Sequence, residues 1–116
     1  MKSSGEQKRS YCYCLDCASA ILKVLLADTA EGNIFNVSNP DSIITIRQMA
    51  EIVAAKGNIR LVMDEASQAE KRQFNPMPNS SLDSTELENL GWKGLFSAEE
   101  GFEHSIKILK EIIEQK

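Results

Sequence analysis

From Ser10 to Cys14 the chain alternates Tyr11 and Tyr13 with Cys12 and Cys14. A period of two predicts a short strand with one aromatic face and one small face. Asp16 follows as the expected N-cap of a helix in which Ala18, Ile21, Leu22, Leu25 and Leu26 recur at the spacing of a buried stripe. "AEGN" ends that helix, "IFNVS" (34–38) reads as a second strand, and "NPDS" as a turn.

Thr45 and Gln48 then form a capping box for a helix with Ile46, Met49, Ala50, Val53 and Ala54 on one face. Gly57 closes it, and "IRLVM" (59–63) is the third expected strand. Asp64 to Ser81 is polar and reads as a long irregular connection. Asp83 with Glu86 predicts a box for a short helix carrying Leu87 and Leu90 and ending at Gly91. Ser97 with Glu100 opens a last helix, with Phe102, Ile106, Leu109 and Ile113 expected inward and Lys107, Lys110, Glu111 and Glu114 outward. The order strand-helix-strand-helix-strand-helix-helix is that of an α/β chain with three short strands and about four helices. Helical crossovers would make neighbouring strands parallel.

Composition adds limits. One hundred and sixteen residues suit one domain, and 42% hydrophobic residues suffice for a modest core. The formal charge of −4, with both signs interspersed, argues against a nucleic-acid surface. "MKSSGEQKRS" lacks the apolar centre of a secretory signal, and "AILKVLLA" is too short to span a bilayer. A soluble cytoplasmic protein is therefore expected, with no nucleic-acid or membrane partner. Residues 1–8 are expected to be a flexible segment ahead of a domain spanning 9–116.

Cys12, Cys14 and Cys17 invite a metal reading, but a structural zinc site wants a second ligand pair, and His104 on the last helix is the only histidine. The cysteines are read as small core residues, with a reactive Cys17 at a helix N-terminus as the alternative. His104 reads as a solvent-facing helical side chain. "GWKG" (91–94) follows a helix rather than a strand, so Gly91 is a C-cap and not part of a phosphate loop. Arg9 precedes a strand and could present its planar fork to a phosphate; Arg72 lies in the polar connection.

Taken together, "RSYCYCLDCASAI", "GNIFNVSNPDSIITIRQMAEIVA" and "LDSTELENLGWKGLFSAEEGFEHSIKILK" occur in an order that resembles the C-terminal, substrate-binding part of NAD-dependent nucleotide-sugar epimerases and dehydratases of the extended short-chain dehydrogenase/reductase family. The first resembles that family's Arg-x-Tyr-x-Tyr-Val-x-Asp segment, the second its Tyr-Asn-Val-Gly strand, the third its closing Leu-Gly-Trp and Glu-Glu-Gly pattern. The resemblance implies that Arg9 contacts the diphosphate of a nucleotide sugar, bound only weakly by this part alone. It implies Arg72 as a second substrate arginine, although "EKRQFNPMPNSS" lacks the family's Arg-x-Gly-Asp context. Asp16 and Asn36 match family positions and are read as structural. It further implies NAD in the complete enzyme, held by a Rossmann domain that this sequence does not show. Neither the glycine-rich NAD loop nor the Tyr-x-x-x-Lys pair is present: Tyr11 is followed at that distance by Leu15, and Tyr13 by Cys17. No catalytic, cofactor-binding or metal residue is therefore assigned to this chain. The rival expectation is a non-enzymatic, self-associating interaction domain that forms homo-oligomers through exposed apolar surface.

Overall fold

The computed structural model describes residues 1–115, so Lys116, the last residue of the expected substrate-binding domain, lies outside the described residues. The chain is α/β with a three-stranded mixed sheet. In order it runs β1 (Lys8–Ser10), α1 (Cys14–Leu25), β2 (Ile43–Thr45), α2 (Ile46–Gly57), α3 (Gln68–Lys71), β3 (Asn79–Ser80), α4 (Thr85–Asn89) and α5 (Ala98–Glu114). Single 3-10 turns cover Asp28–Ala30 and Pro40–Ser42. The sheet order is β2-β1-β3; β1 pairs antiparallel with β2 (Arg9 opposite Ile44) and parallel with β3 (Arg9 opposite Ser80).

Local chemistry sets the helix starts. Thr45 accepts from the Gln48 N–H while Gln48 accepts from the Thr45 N–H, and Ser97 and Glu100 do the same at α5. Both boxes satisfy backbone donors that a helix leaves free in its first turn. A third box, Ser67 with Glu70, opens α3 inside the stretch read as irregular. The expected Asp83–Glu86 box does not form. Asp83 instead accepts from the N–H and hydroxyl of Thr85, an Asx-type turn, and Ser84 is the N-cap of α4. At the far end of α2, Asn58 takes the left-handed conformation (φ 53°) just after Gly57.

The strands fall elsewhere than expected. "SYCYC" continues past β1 as extended chain, and Cys14 already begins α1. "IFNVS" is not a strand: the backbone groups of residues 34–38 find no backbone partner among the described residues. Phe35 and Val37 nevertheless point to the core while Ile34 is 93% exposed, so the alternation survives without a neighbouring strand. "IRLVM" likewise lacks a sheet partner. Ile59 N donates back to Ala54 O at the end of α2, the Met1 ammonium donates to Val62 O, and just past the segment Asp64 N donates to Met1 O. The strands that pair are instead β1, which carries Arg9, and its neighbours β2 and β3, and the β1–β2 pair is antiparallel where parallel neighbours were expected.

The core is small. Ala20, Leu87 and Trp92 are buried, with Val24, Phe35, Val37 and Leu90 packed against them. A second layer joins α2 and α5, where Lys56 lies 2.9 Å from Glu99 and 2.6 Å from Glu103. Most of the expected α1 stripe is not inside: Ile21, Leu22, Leu25 and Leu26 are all more than half exposed. On α5, Ala98 and Gly101 are buried and Phe102 and Ile106 half-buried, but Leu109 and Ile113 face solvent. No described element lies across these faces. The radius of gyration is 17.1 Å, against about 13 Å for a compact domain of this length, and the extents of 50 × 41 × 21 Å describe a slab.

Candidate functional site

Arg9 sits at the middle of the central strand, where residues alternate between the two sheet faces. Its neighbour on the opposite face, Ser10, accepts from the Leu82 N–H at 2.8 Å and ties β1 to the segment after β3. The Arg9 Nη1 donates to Lys8 O at 2.6 Å and to Met77 O at 3.4 Å. No carboxylate pairs with it among the described residues. Tyr11 shares the Arg9 face; burial raises its phenol above the usual value, against the downward pull of the Arg9 charge.

Arg72 follows α3, its backbone N–H donating to Gln68 O at 3.3 Å, while the next residue, Gln73, donates its N–H to Glu70 O at 3.0 Å. Its side chain is exposed and makes no hydrogen bond or ion pair among the described residues. Arg9 and Arg72 therefore bracket the same connection, one through Met77 O and the other at its start, but no shared contact joins them.

Past β1, Tyr11 and Tyr13 pack edge-to-face on Phe102 and Phe96, with ring centroids 5.6 Å and 5.0 Å apart. The Tyr13 hydroxyl meets His104 Nδ1 at 2.5 Å, a partner that spacing could not reveal because it comes from α5. Gly101 admits this packing: a Cβ there would lie 3.1 Å from the Tyr13 ring. Between the segments is a shallow cleft of about 250 Å³ lined by Tyr11, Cys12, Tyr13 and Cys14 on one side and Ala98, Phe102 and Ser105 on the other. Neither arginine lines it.

The three cysteines are not core residues. Cys14 is exposed and Cys12 and Cys17 are half-buried, because all three lie at the open N-terminal end of α1 rather than under it. The Cys12 thiol is pushed up to about 12, first by burial and then by the neighbouring Cys17 thiol. No group of three His, Cys, Asp or Glu side chains among the described residues is placed to hold a metal.

Asp16 is not the N-cap; Tyr13 is, without a side-chain bond. Asp16 is instead a buried carboxylate in the first turn of α1, accepting from Leu95 N at 2.9 Å and Phe96 N at 3.1 Å. Phe96 O in turn accepts from Asn39 Nδ2 at 2.8 Å and from Ser42 Oγ at 3.4 Å. Ser19 Oγ links the Trp92 indole N–H (2.9 Å) to Asp16 O (2.8 Å). This polar clasp fixes the loop between α4 and α5 against α1. Asn36 donates to Asp83 O at 3.0 Å, a structural bond as expected. Gly91 and Gly94 lie between two helices, not between a strand and a helix, so this loop does not have the setting of a dinucleotide loop.

No protein-family model matches the chain. Among curated proteins it is 40% identical to UDP-D-apiose/UDP-D-xylose synthase 2 of Arabidopsis thaliana over 50 residues, which is 42% of this chain and 13% of that protein. Among solved structures, UDP-glucose 4-epimerase of Thermotoga maritima, crystallised with UDP-glucose, superposes with a TM-score of 0.77 at 21% identity, covering 97% of this chain and 35% of that one. The dTDP-glucose 4,6-dehydratase of Bacillus anthracis, in complex with NAD, gives a TM-score of 0.74 at 14% identity over 95% of this chain and 33% of that one. The resemblance carried by the motifs thus holds at the level of the fold. The chain has the fold of part of a nucleotide-sugar epimerase or dehydratase, and it spans about a third of those solved chains.

Proposed function

We propose that this chain is the substrate-side portion of an NAD-dependent nucleotide-sugar epimerase or dehydratase, closing over the diphosphate of the sugar nucleotide without supplying catalytic residues. The observation that carries this reading is Arg9: a guanidinium on the central strand, bonded only to backbone carbonyls and without a carboxylate partner among the described residues. Such a fork can accept a diphosphate in two parallel hydrogen bonds. Arg72, exposed at the start of the same connection, is the second candidate contact.

NAD would be held by a complementary Rossmann portion. Two features support such a complement. The backbone of residues 34–38 has no backbone partner among the described residues, and α1 bears Ile21, Leu22, Leu25 and Leu26 in solvent. An unpaired strand-like edge beside an apolar helix face is the shape left when a parallel sheet is cut between strands. One wall of a cleft buries little of a ligand, so binding by this chain alone is weak.

The test is titration of UDP-glucose and dTDP-glucose into the chain, followed by amide NMR, for wild type, Arg9→Lys and Arg9→Ala. Shifts confined to Lys8–Tyr11 and the Met77 region, weakened by Arg9→Lys and absent in Arg9→Ala, support the reading. A folded chain with no shifts at ligand excess, or shifts indifferent to Arg9, sinks it.

A second reading is favoured by the same exposed apolar faces. A slab with uncovered leucines and isoleucines on α1 and α5 can associate with itself instead of with an NAD-binding portion.

A further inference from the structure

Tyr13 is the N-cap of α1, which places Cys12 at the position just outside the helix and Cys17 at its fourth residue. Those two positions face each other across the first turn and are where a hydrophobic pair commonly staples the incoming chain to the helix. Here both members are thiols. Cys17 N donates to Tyr13 O at 3.0 Å, fixing the turn, and Cys12 Sγ donates to the same carbonyl at 3.8 Å, so both cysteines converge on Tyr13 O. Cys14, at the first helical position, is exposed. All three are free thiols.

We infer that Cys12 and Cys17 form a redox-sensitive staple, closing to a disulfide that locks the entry to α1 and tightens the Asp16 clasp one residue away. The closure needs an oxidant, and a low-molecular-weight disulfide supplies it. The Cys17 thiolate attacks one sulfur of glutathione disulfide, forming a mixed disulfide and releasing one glutathione thiolate. The Cys12 thiolate then attacks the Cys17 sulfur and releases the second glutathione. Two protein thiols are oxidised, one disulfide is reduced, and two protons pass to the glutathione thiolates or to solvent.

The proposal does not depend on the sugar-nucleotide reading, since it concerns only the entry to α1. Its experiment is oxidation of the folded chain by glutathione disulfide, with intact mass and amide hydrogen exchange measured on wild type, Cys14→Ser and Cys17→Ser. Arg9 to Lys23 contains all three cysteines, so the Cys14→Ser variant identifies the bridge without relying on fragmentation. The expected result is a loss of two hydrogens in wild type and Cys14→Ser, reversed by a thiol reductant. Slower exchange at the Leu95 and Phe96 amides, which Asp16 accepts, is expected with it. Cys17→Ser is expected to show neither. A Cys14→Ser protein that takes only glutathione adducts would overturn the staple, as would a bridge with Leu95 and Phe96 exchange unchanged.

Discussion

The Asp16 carboxylate reaches across 80 residues of sequence to accept the Phe96 N–H at 3.1 Å, while its other oxygen takes Leu95 N at 2.9 Å. Its side chain is 1% exposed. A buried carboxylate filled by two backbone donors defines where the α4–α5 loop lies, and with it the start of α5.

Removing it strands those donors. Asp16→Ala is expected to lower unfolding stability by about 3 kcal/mol, since charge-assisted hydrogen bonds contribute roughly 1.5–3 kcal/mol each. Asp16→Asn retains one acceptor but turns an NH2 group toward the second amide, and is expected to fall between the two. Urea unfolding of the three proteins checks the order; equal stability of Asp16→Ala and wild type would contradict the clasp.

Which parts were legible in the sequence follows from how local each signal is. The capping boxes at Thr45 and Ser97 depend on residues three apart, and both formed. Asp16 is the opposite case. A carboxylate near a helix start reads as a cap, and nothing nearby in sequence reveals that its donors come from Leu95 and Phe96. His104 has the same history with Tyr13. The strands failed for another reason: "IFNVS" and "IRLVM" have the right periodicity, but a strand exists only with a neighbour, and none of the described residues provides one. The cysteines were misplaced because residue type predicts burial on average, whereas their position at the end of α1 decides it here. Arg9 was legible from its place just ahead of a strand, whereas a substrate role for Arg72 came only with the family-like motif; that Arg9 would be bonded to Lys8 O and Met77 O is a long-range fact no local pattern carries.

Gly94 has no special backbone requirement, yet it has no room. A Cβ there would lie 2.6 Å from Asn39 Nδ2, the group that donates to Phe96 O. Gly94→Ala is expected to destabilise by about 2 kcal/mol through displacement of that amide. Gly32 offers the contrast: nothing lies within 4 Å, but φ is +75°. Gly32→Ala should cost only about 1 kcal/mol, from backbone strain alone. Thermal melts that reversed this order would show the Asn39 contact to be readily relieved.

The pH dependence should carry the mark of the helix caps. Glu100 lies below its ordinary value of 4.5 because the Ser97 hydroxyl and then the Ser97 N–H donate to it, and Glu70 is lowered first by Lys2 and then by Ser67. A carboxylate depressed in the folded state stabilises the fold above its unfolded pKa, and that contribution is lost as pH falls through the folded value. Stability is therefore expected to be flat near neutrality and to decline below about pH 4.5. Glu100→Gln keeps an acceptor for the box but does not titrate. Melting temperatures should favour wild type at pH 7 and converge with the variant toward pH 3; a constant gap would remove Glu100 from the acid response.

The uncovered apolar faces make the last prediction. Leu25 and Leu26 are 74% and 82% exposed, and Ile34 is 93% exposed. Buried against a partner, such side chains would each contribute roughly 1.5–3 kcal/mol, so the isolated slab should associate as its concentration rises. Leu25→Glu with Leu26→Glu introduces charge where wild type has exposed carbon, and removes no contact with Ala20, Leu87 or Trp92. The double variant is expected to remain monomeric in light scattering at concentrations where wild type does not, with an unchanged unfolding midpoint. If the variant associates as strongly as wild type, the α1 face is not the contact, and Ile108, Leu109, Ile112 and Ile113 on α5 become the surface to charge next. If instead wild type stays monomeric throughout, the self-associating reading fails, and the exposed faces count toward the proposed complement instead.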